Sequence, residues 1–414
     1  MRWIAWTALA IGLPLWGGNT EVEATPDPAN VNARYIVESV NVIGVESRAI
    51  NATLSSSLRA ELHQVVGSNL DSKKLDRLAS RLKNELRAAR VKVRVTRGTM
   101  PEHVLVNFEV ARKPIDLKVA KFLYDSEQGW SGEGSATTHL GGNAFTVALA
   151  SDGDELLERY AGFRVKYDRD SLGTDRVGFG FEFDDFHEMW NPATIAEDPA
   201  GIYRTRQVFA PELRVTIIAP LEADFGVSFA RYRLSTPGAE TESSNAVVST
   251  LRYHQRWGSA EDLQDQDLDA SYSIEAATSL FSTDAKFTRH IVRSGYKFRH
   301  DRHRVEAAFL AGAIQGQAPL YERFMLGNAS LLRGWNRFDL DPTGGANVIY
   351  GSVEYAYRWY QVFYDTGAVW SVPQQREQRQ SVGVGFKKEG FQLAVAYPLH
   401  AAHALPIFFA GMNF

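Results

Sequence analysis

The sequence predicts a mainly β protein: a transmembrane antiparallel β-barrel of about sixteen strands at residues 115–414, preceded by a small α+β unit at residues 34–113. Three observations predict it. From Ile115 onward, short segments set bulky apolar residues on one face against glycine or charge on the other, and Gly, Asp, Asn and Pro clusters split them. Phe179, Phe181 and Phe183 alternate with Gly180, Glu182 and Asp184 in this way, and Val353, Tyr355 and Tyr357 with Ser352, Glu354 and Arg358. No apolar stretch of even ten residues follows Ala24, so any membrane crossing has to be made by strands, with lipid outside and water inside. Residues 34–113, by contrast, carry apolar residues at the three-to-four spacing of helices between short alternating runs.

Composition narrows the function classes. The 414 residues are 23% charged with a formal net charge of -4, which argues against a nucleic-acid binder and against a disordered chain. The absence of cysteine excludes a disulfide scaffold, a thiolate metal site and a cysteine nucleophile, and fits a chain that crosses an oxidising periplasm.

Residues 1–24 read as a secretory signal. Arg2 supplies the positive start, the run from Trp3 to Trp16 is almost wholly apolar, and Val22-Glu23-Ala24 offers a small-residue cleavage site. The apolar run is shorter than the roughly 20 residues of a spanning helix, which disfavours a membrane anchor. Arg34 to Ile43 then alternates as a strand ended by Gly44. Ile50, Leu54, Leu58, Leu62 and Val65 fall on one helix face, and Asp71 caps a second helix with Leu75, Leu78, Leu82 and Leu86 on its apolar side. Val91, Val93 and Val95 alternate with basic residues, and after a turn at Gly98 to Glu102 the run Val104, Val106, Phe108, Val110 makes a third strand.

Sixteen further strands are expected near 115–124, 133–140, 143–150, 159–169, 176–186, 203–219, 222–235, 244–258, 268–280, 286–299, 303–315, 345–359, 361–371, 381–388, 391–398 and 405–414. Tight connections such as Ala219 to Glu222, His300 to Arg302 and Lys388 to Gly390 alternate with long ones such as 187–202 and 316–344, as periplasmic turns alternate with outer loops. The acidic stretch 259–267 stands out as a longish connection on the turn side.

Catalytic motifs are missing. There is no Gly-x-Ser-x-Gly and no His-Glu-x-x-His, and the Gly-x-Gly pairs at Gly178/Gly180 and Gly383/Gly385 sit in strands with no phosphate-binding helix after them. His300 and His303 flank a turn with Asp301 that reads as solvated. Asp265, Asp267 and Asp269 echo a calcium loop but have Ala270 and Ala276 where it needs Gly and Glu. Neither an enzyme nor a metal or other cofactor is expected.

The terminal segment puts Phe408, Ala410, Met412 and Phe414 on one face and ends on an aromatic residue, which resembles the C-terminal recognition signal of bacterial outer-membrane barrels; its plain alternative is an ordinary edge strand. The longest loop holds Leu331-Leu332-Arg333-Gly334-Trp335, followed by Gly344-Gly345, a strand with Glu354, and Phe363-Tyr364-Asp365-Thr366-Gly367. This order resembles the Omp85 superfamily, of the surface-antigen D15 barrel type, in which a long sixth outer loop folds into the lumen with an Arg-Gly-aromatic tip and a Phe-x-Asp-x-Gly motif lies two strands on. The family usually has Phe or Tyr after the glycine, so Trp335 departs mildly. The resemblance implies that Arg333, Gly334 and Trp335 form a latch, with Asp365 and Gly367 on the facing wall and Glu354 as a second carboxylate. Strand parity places Asp365 and Glu354 on the lumenal face by itself, and a guanidinium fork suits a carboxylate bidentately. The plain alternative is a solvated loop arginine.

In that setting the unit at 34–113 resembles a single POTRA domain, whose open sheet edge accepts an incoming strand; a simple plug or spacer is the alternative. The resemblance implies an outer-membrane protein with this unit in the periplasm, acting in membrane insertion or translocation of polypeptides. It implies the lipid bilayer, unfolded outer-membrane or secreted clients, and periplasmic chaperones or accessory proteins as partners. A weakly closed seam between residues 115–124 and 405–414 is expected, with Gly411 and Pro406 weakening its pairing. A two-partner-secretion transporter and a passive diffusion channel are the rival readings.

Overall fold

The computed structural model describes residues 34–44, 54, 56–86, 88–111, 115–140, 142–151, 157–174, 176–236, 238, 241–259, 264–372, 376–388, 390–401 and 405–412. The expected signal at 1–24, the boundary at Pro114 and the terminal Phe414 lie outside the described residues.

Strand β1 (Ile36–Ile43), helices α1 (Ser56–Val65) and α2 (Ser72–Glu85), and strands β2 (Arg90–Arg97) and β3 (His103–Ala111) follow in the expected order. The sheet runs β1-β3-β2, with β1 parallel and β2 antiparallel to the central β3. Asp71 caps α2 by accepting from the Lys73 and Lys74 N–H groups at 2.9 and 3.2 Å, which satisfies two of its orphan donors. Leu54, Leu58, Leu62 and Val65 from the first helical segment meet Leu75, Leu78 and Leu82 from the second over Val104, Val106 and Phe108. Each apolar stripe has a partner inside the unit, so a single cluster closes over about seventy residues. Residues 34–113 expressed alone are expected to give cooperative thermal unfolding and dispersed amide signals; a gradual, non-cooperative melt would mean that the unit depends on the barrel.

The rest of the chain is a closed barrel of sixteen strands joined in chain order. They are β4 (Ile115–Asp125), β5 (Gly129–Leu140), β6 (Asn143–Ser151), β7 (Arg159–Arg169), β8 (Val177–Met189), β9 (Tyr203–Ile218), β10 (Leu221–Leu234) and β11 (Thr241–Ser259). The circle continues through β12 (Gln264–Ala277), β13 (Lys286–His300), β14 (His303–Gln317), β15 (Asn347–Tyr357), β16 (Tyr360–Trp370), β17 (Arg379–Lys388), β18 (Phe391–Leu399) and β19 (Ile407–Met412). Every neighbouring pair is antiparallel.

Period-two alternation decides which side chains face out. Leu149, Phe225, Val362, Val384 and Phe408 are at least half exposed on the outer wall, whereas Asp365 and Ser381 are fully buried inside. An apolar outside and a polar, ion-paired inside are what a strand needs when lipid replaces water on one face. No described helix is long and apolar enough to cross a membrane.

The acidic stretch 259–267 is not a long connection. β11 reaches Ser259 and β12 already begins at Gln264, with Arg256 opposite Asp267 and His254 opposite Asp269. Asp is a poor strand former, which hid the segment, but here opposite charges on facing strands compensate. His254 Nδ1 lies 2.6 Å from Asp269, and Arg256 lies 3.3 Å from Asp265.

The closing seam is the weakest join. Among the described residues β19 and β4 pair at four positions only, Phe409 to Met412 against Asp125 to Phe122, whereas β10 and β11 pair at thirteen. Ile115 and Leu117, farther down β4, are exposed.

Candidate functional site

The connection between β14 and β15, residues 318–346, folds into the barrel from the rim opposite the N-terminal unit. Asn328 shapes its tip: the side-chain oxygen accepts from the Ser330 and Leu331 N–H groups, and the Gly327 N–H donates to Leu331 O at 2.9 Å. Leu332 and Gly334 both have positive φ, 57° and 93°. Leucine rarely adopts that conformation, so the strained backbone at Leu332 is held by its surroundings; its side chain is fully buried beside Leu326 and Val348.

This bend aims Arg333 at the wall. Its backbone N–H and Nε each donate to Asp365 Oδ2 at 2.9 Å, and Nη2 donates to Oδ1 at 2.9 Å. Ser352 donates to the same Oδ1 at 2.6 Å, so Asp365 is fully buried with four donors around it. Nη1 reaches Glu354 at 3.0 Å. The guanidinium carbon lies 3.5 Å from the centre of the Phe363 ring, a cation–π contact in a desolvated setting. A planar five-donor group can meet a carboxylate edge-on, a second carboxylate and a ring face at once; an ammonium cannot.

The other residues singled out in the sequence gather here too. Gly334 sits where a Cβ would come within 3.1 Å of Ala396 and 3.3 Å of Ser381, so glycine is needed for close approach as well as for its φ. Trp335 Nε1 donates to Gln380 O at 2.9 Å, and the Arg379 guanidinium lies over its ring. At Gly367 a Cβ would meet Leu326 Cδ1 at 2.9 Å, so this glycine makes room for the loop. Phe408 and Met412 face outward on β19, while their neighbours Ile407 and Phe409 turn inward to pack with Phe363.

Several participants escaped the sequence reading. Ser352 completes the arginine's shell, as does the ring of Phe363, which the sequence showed only as the first residue of the motif and not as a partner of Arg333. Gly383 faces the lumen beneath Phe363, where a Cβ would lie 2.1 Å from Phe363 Cζ. Strand parity counted from Ser381 could have flagged it. A second tie joins the loop to the β4–β5 turn: Gln128 Nε2 donates to Gly327 O at 3.0 Å, and the fully buried Arg337 donates to Gln128 Oε1. The same turn reaches the seam, since the Ser126 N–H donates to Phe408 O at 3.0 Å and the Phe408 N–H to Ser126 Oγ at 3.1 Å. On the opposite side of the loop Arg289 donates to Glu322 at 2.9 Å.

Below the loop the lumen opens into a cavity of about 1420 Å³, lined by charged residues such as Lys166, Asp168, Arg214 and Arg252 and reached by Arg59 from α1. His254 and Asp269 on its wall, with Asp267, bring three ligand atoms within 4.8 Å of one another. Arg256 lies 3.7 Å from Asp267 and supplies a positive counter-charge in place. The arrangement around Arg333 holds the loop against the barrel wall.

Comparison with known proteins agrees with this geometry. The Omp85 superfamily domain matches residues 261–405, which include Arg333, Glu354 and Asp365. The fold is similar to that of BamA from Haemophilus ducreyi lacking POTRA domains 1-3, at 13% identity and a TM-score of 0.57, over 92% of this chain and 85% of that one. It is also similar to CdiB from Acinetobacter baumannii, at 14% identity and a TM-score of 0.54, over 92% of this chain and 74% of that one. For CdiB from Escherichia coli the values are 12%, 0.53, 92% and 77%. No curated protein matches the sequence.

Proposed function

We propose, from a sixteen-strand barrel that fits the Omp85 superfamily, that this chain assists the insertion of polypeptides into the outer membrane or their translocation across it, with residues 34–113 acting as a periplasmic POTRA-like domain. The observation that carries the reading is the seam. Strand edges cannot stand open in lipid, because each unpaired N–H and C=O costs several kcal/mol there, roughly. A join of four paired positions among the described residues is the place where the barrel opens at least cost and where a client strand would find partners for its own backbone. At Gly411 a Cβ would come within 2.5 Å of Phe122 O, so the glycine allows the close pairing that remains. Arg333 and Asp365 act in this reading as a latch that fixes the loop while the wall moves. The loop filling the outer lumen speaks against a passive pore.

A disulfide across the seam tests the proposal, and the chain has no cysteine of its own to interfere. Tyr124 and Ala410 are paired in register, so Tyr124→Cys/Ala410→Cys is expected to cross-link on oxidation. In proteoliposomes, the oxidised variant should lose the acceleration of folding of an added small β-barrel, and reduction should restore it. Equal acceleration by the locked and unlocked forms would overturn the seam mechanism. Large steady conductance in planar bilayers, unaffected by the lock, would favour a diffusion channel instead.

A further inference from the structure

We propose that the outward face of β17 seats one anionic phospholipid, its acyl chain lying along the strand and its phosphate held at the β15–β16 and β17–β18 turns, an inference that rests on the reading of the barrel as spanning an outer membrane with its tight turns at the periplasmic surface. Alternation puts Val382, Val384, Phe386 and Lys388 in one outward column of β17. In register, Val382 lies between Tyr364 of β16 and Tyr397 of β18, and Val384 between Val362 and Val395. Short branched side chains thus floor a channel whose walls are two tyrosines. The groove there measures about 550 Å³ and is lined by valine and tyrosine side chains.

The base of the column is cationic. The Lys388 ammonium lies 4.6 Å from the centre of the Trp359 ring, and the Arg358 guanidinium carbon 5.6 Å from that of Tyr357. Backbone hydrogen bonds tie the turns side by side: the Lys387 N–H donates to Trp359 O at 2.7 Å, and the Arg358 N–H to Arg302 O at 2.8 Å. Neither Arg358 nor Lys388 has a carboxylate partner among the described residues, and Arg302 meets the exposed Asp301 at 4.0 Å. The three neighbouring turns carry Arg302, Arg358, Lys387 and Lys388 against Asp301 and Glu389, whereas the β11–β12 turn carries Glu261 and Asp262. Positive charge is therefore local to this arc of a chain whose formal net charge is -4.

Length says what lies along it. From Lys388 back to Val382 the strand covers about 20 Å, and a tilt of about 40° leaves roughly 15 Å along the membrane normal, half of a hydrocarbon core about 30 Å thick. The groove covers one leaflet, from headgroup level to the midplane. A phospholipid of net negative charge satisfies both ends at once, with its chain over the valines and its phosphate between Arg358 and Lys388. A zwitterionic lipid brings the same chain but sets its own ammonium against those cations.

The test reconstitutes the whole chain into vesicles of equal phosphatidylglycerol and phosphatidylcholine, re-extracts it in mild detergent and identifies the lipid it carries by native mass spectrometry. One phosphatidylglycerol per chain is expected, retained about tenfold over phosphatidylcholine, with the preference largely lost when extraction is done at about 1 M salt. Arg358→Gln/Lys388→Gln should bring the two lipids level. Val382→Phe/Val384→Phe, which fills the groove from the lipid side and leaves the lumen untouched, should lose retained lipid of either headgroup. Heat-modifiable gel mobility checks that each variant is folded. Equal retention of both lipids by the unmodified chain would overturn the charged seat, and unchanged retention by the Phe variant would overturn the groove. Displacement of phosphatidylglycerol by a Glu-rich peptide that binds the original chain and the Phe variant alike would assign the cations to a polypeptide instead. A chain that never becomes heat-modifiable in vesicles would overturn the membrane-spanning reading beneath the proposal.

Discussion

Arg333→Ala is expected to release the long loop, and Asp365→Ala to do the same, each with a loss on the order of 3 kcal/mol in loop docking, about a hundredfold in its equilibrium. Asp365 has no exposed surface and Arg333 is only about a tenth exposed at its side chain, so removing one partner strands the other away from bulk water. The two variants are not mirror images. Without the arginine side chain, Asp365 keeps the residue-333 backbone N–H and Ser352 as donors; without Asp365, the guanidinium keeps Glu354 at 3.0 Å and the Phe363 ring. The double variant should therefore be little worse than either single one, and Arg333→Lys should not restore the latch, because one ammonium cannot serve two carboxylates and a ring face together. Protease accessibility of residues 316–344 reads the loop, and client folding in proteoliposomes reads the function. Strictly additive losses, or a loop in Arg333→Ala as protected as in the original protein, would remove the latch from the mechanism.

Gly383→Val should approach that effect without touching the loop. The first carbon of any side chain at 383 would meet Phe363 Cζ at 2.1 Å and Val395 O at 2.6 Å, and the carbonyl belongs to the barrel ladder and cannot retreat. The ring has to leave its seat, and the guanidinium resting on it loses its platform. Overpacking of this kind costs about 1–3 kcal/mol, and loss of a buried cation–π contact about 2 kcal/mol more. The informative companion is Gly383→Val/Phe363→Ala, which removes the clash and should recover part of the loop protection. A protected loop in Gly383→Val alone would mean that Phe363 is not the arginine's support.

Much of this was legible in the sequence for a definite reason. Alternation is dictated by lipid on one side and water on the other, so sixteen strands and the lumenal direction of Glu354 and Asp365 follow from parity. The contact of Arg333 with Asp365 and Glu354 needed the resemblance carried by Arg333, Gly334 and Trp335, because nothing local to a loop arginine says which wall it will meet. What stayed hidden was whatever depended on two strands at once. Asp265 and Asp267 of β12 looked like a connection until Arg256 on the facing strand supplied their counter-charge. Gly383 was noticed only as a strand glycine, since its purpose lies in Phe363 on the neighbouring strand. Gln128 and Arg337 are 209 positions apart, and neither belongs to a recognisable pattern.

That last pair has a mechanical consequence. The turn from Asp125 to Gln128 holds β19 on one side, through Ser126 and Phe408, and the long loop on the other, through Gln128 and Gly327. Asp125 stiffens it by accepting from the Glu127 and Gln128 N–H groups at 2.8 and 3.3 Å. Load entering at the loop thus reaches the barrel's opening through three residues, without having to cross the barrel's girth. The outer end of the seam and the loop behave as components in series, and the lower end of the seam, where β4 extends beyond its pairing with β19 among the described residues, is free to part first, like a zip whose slider is pinned at the top.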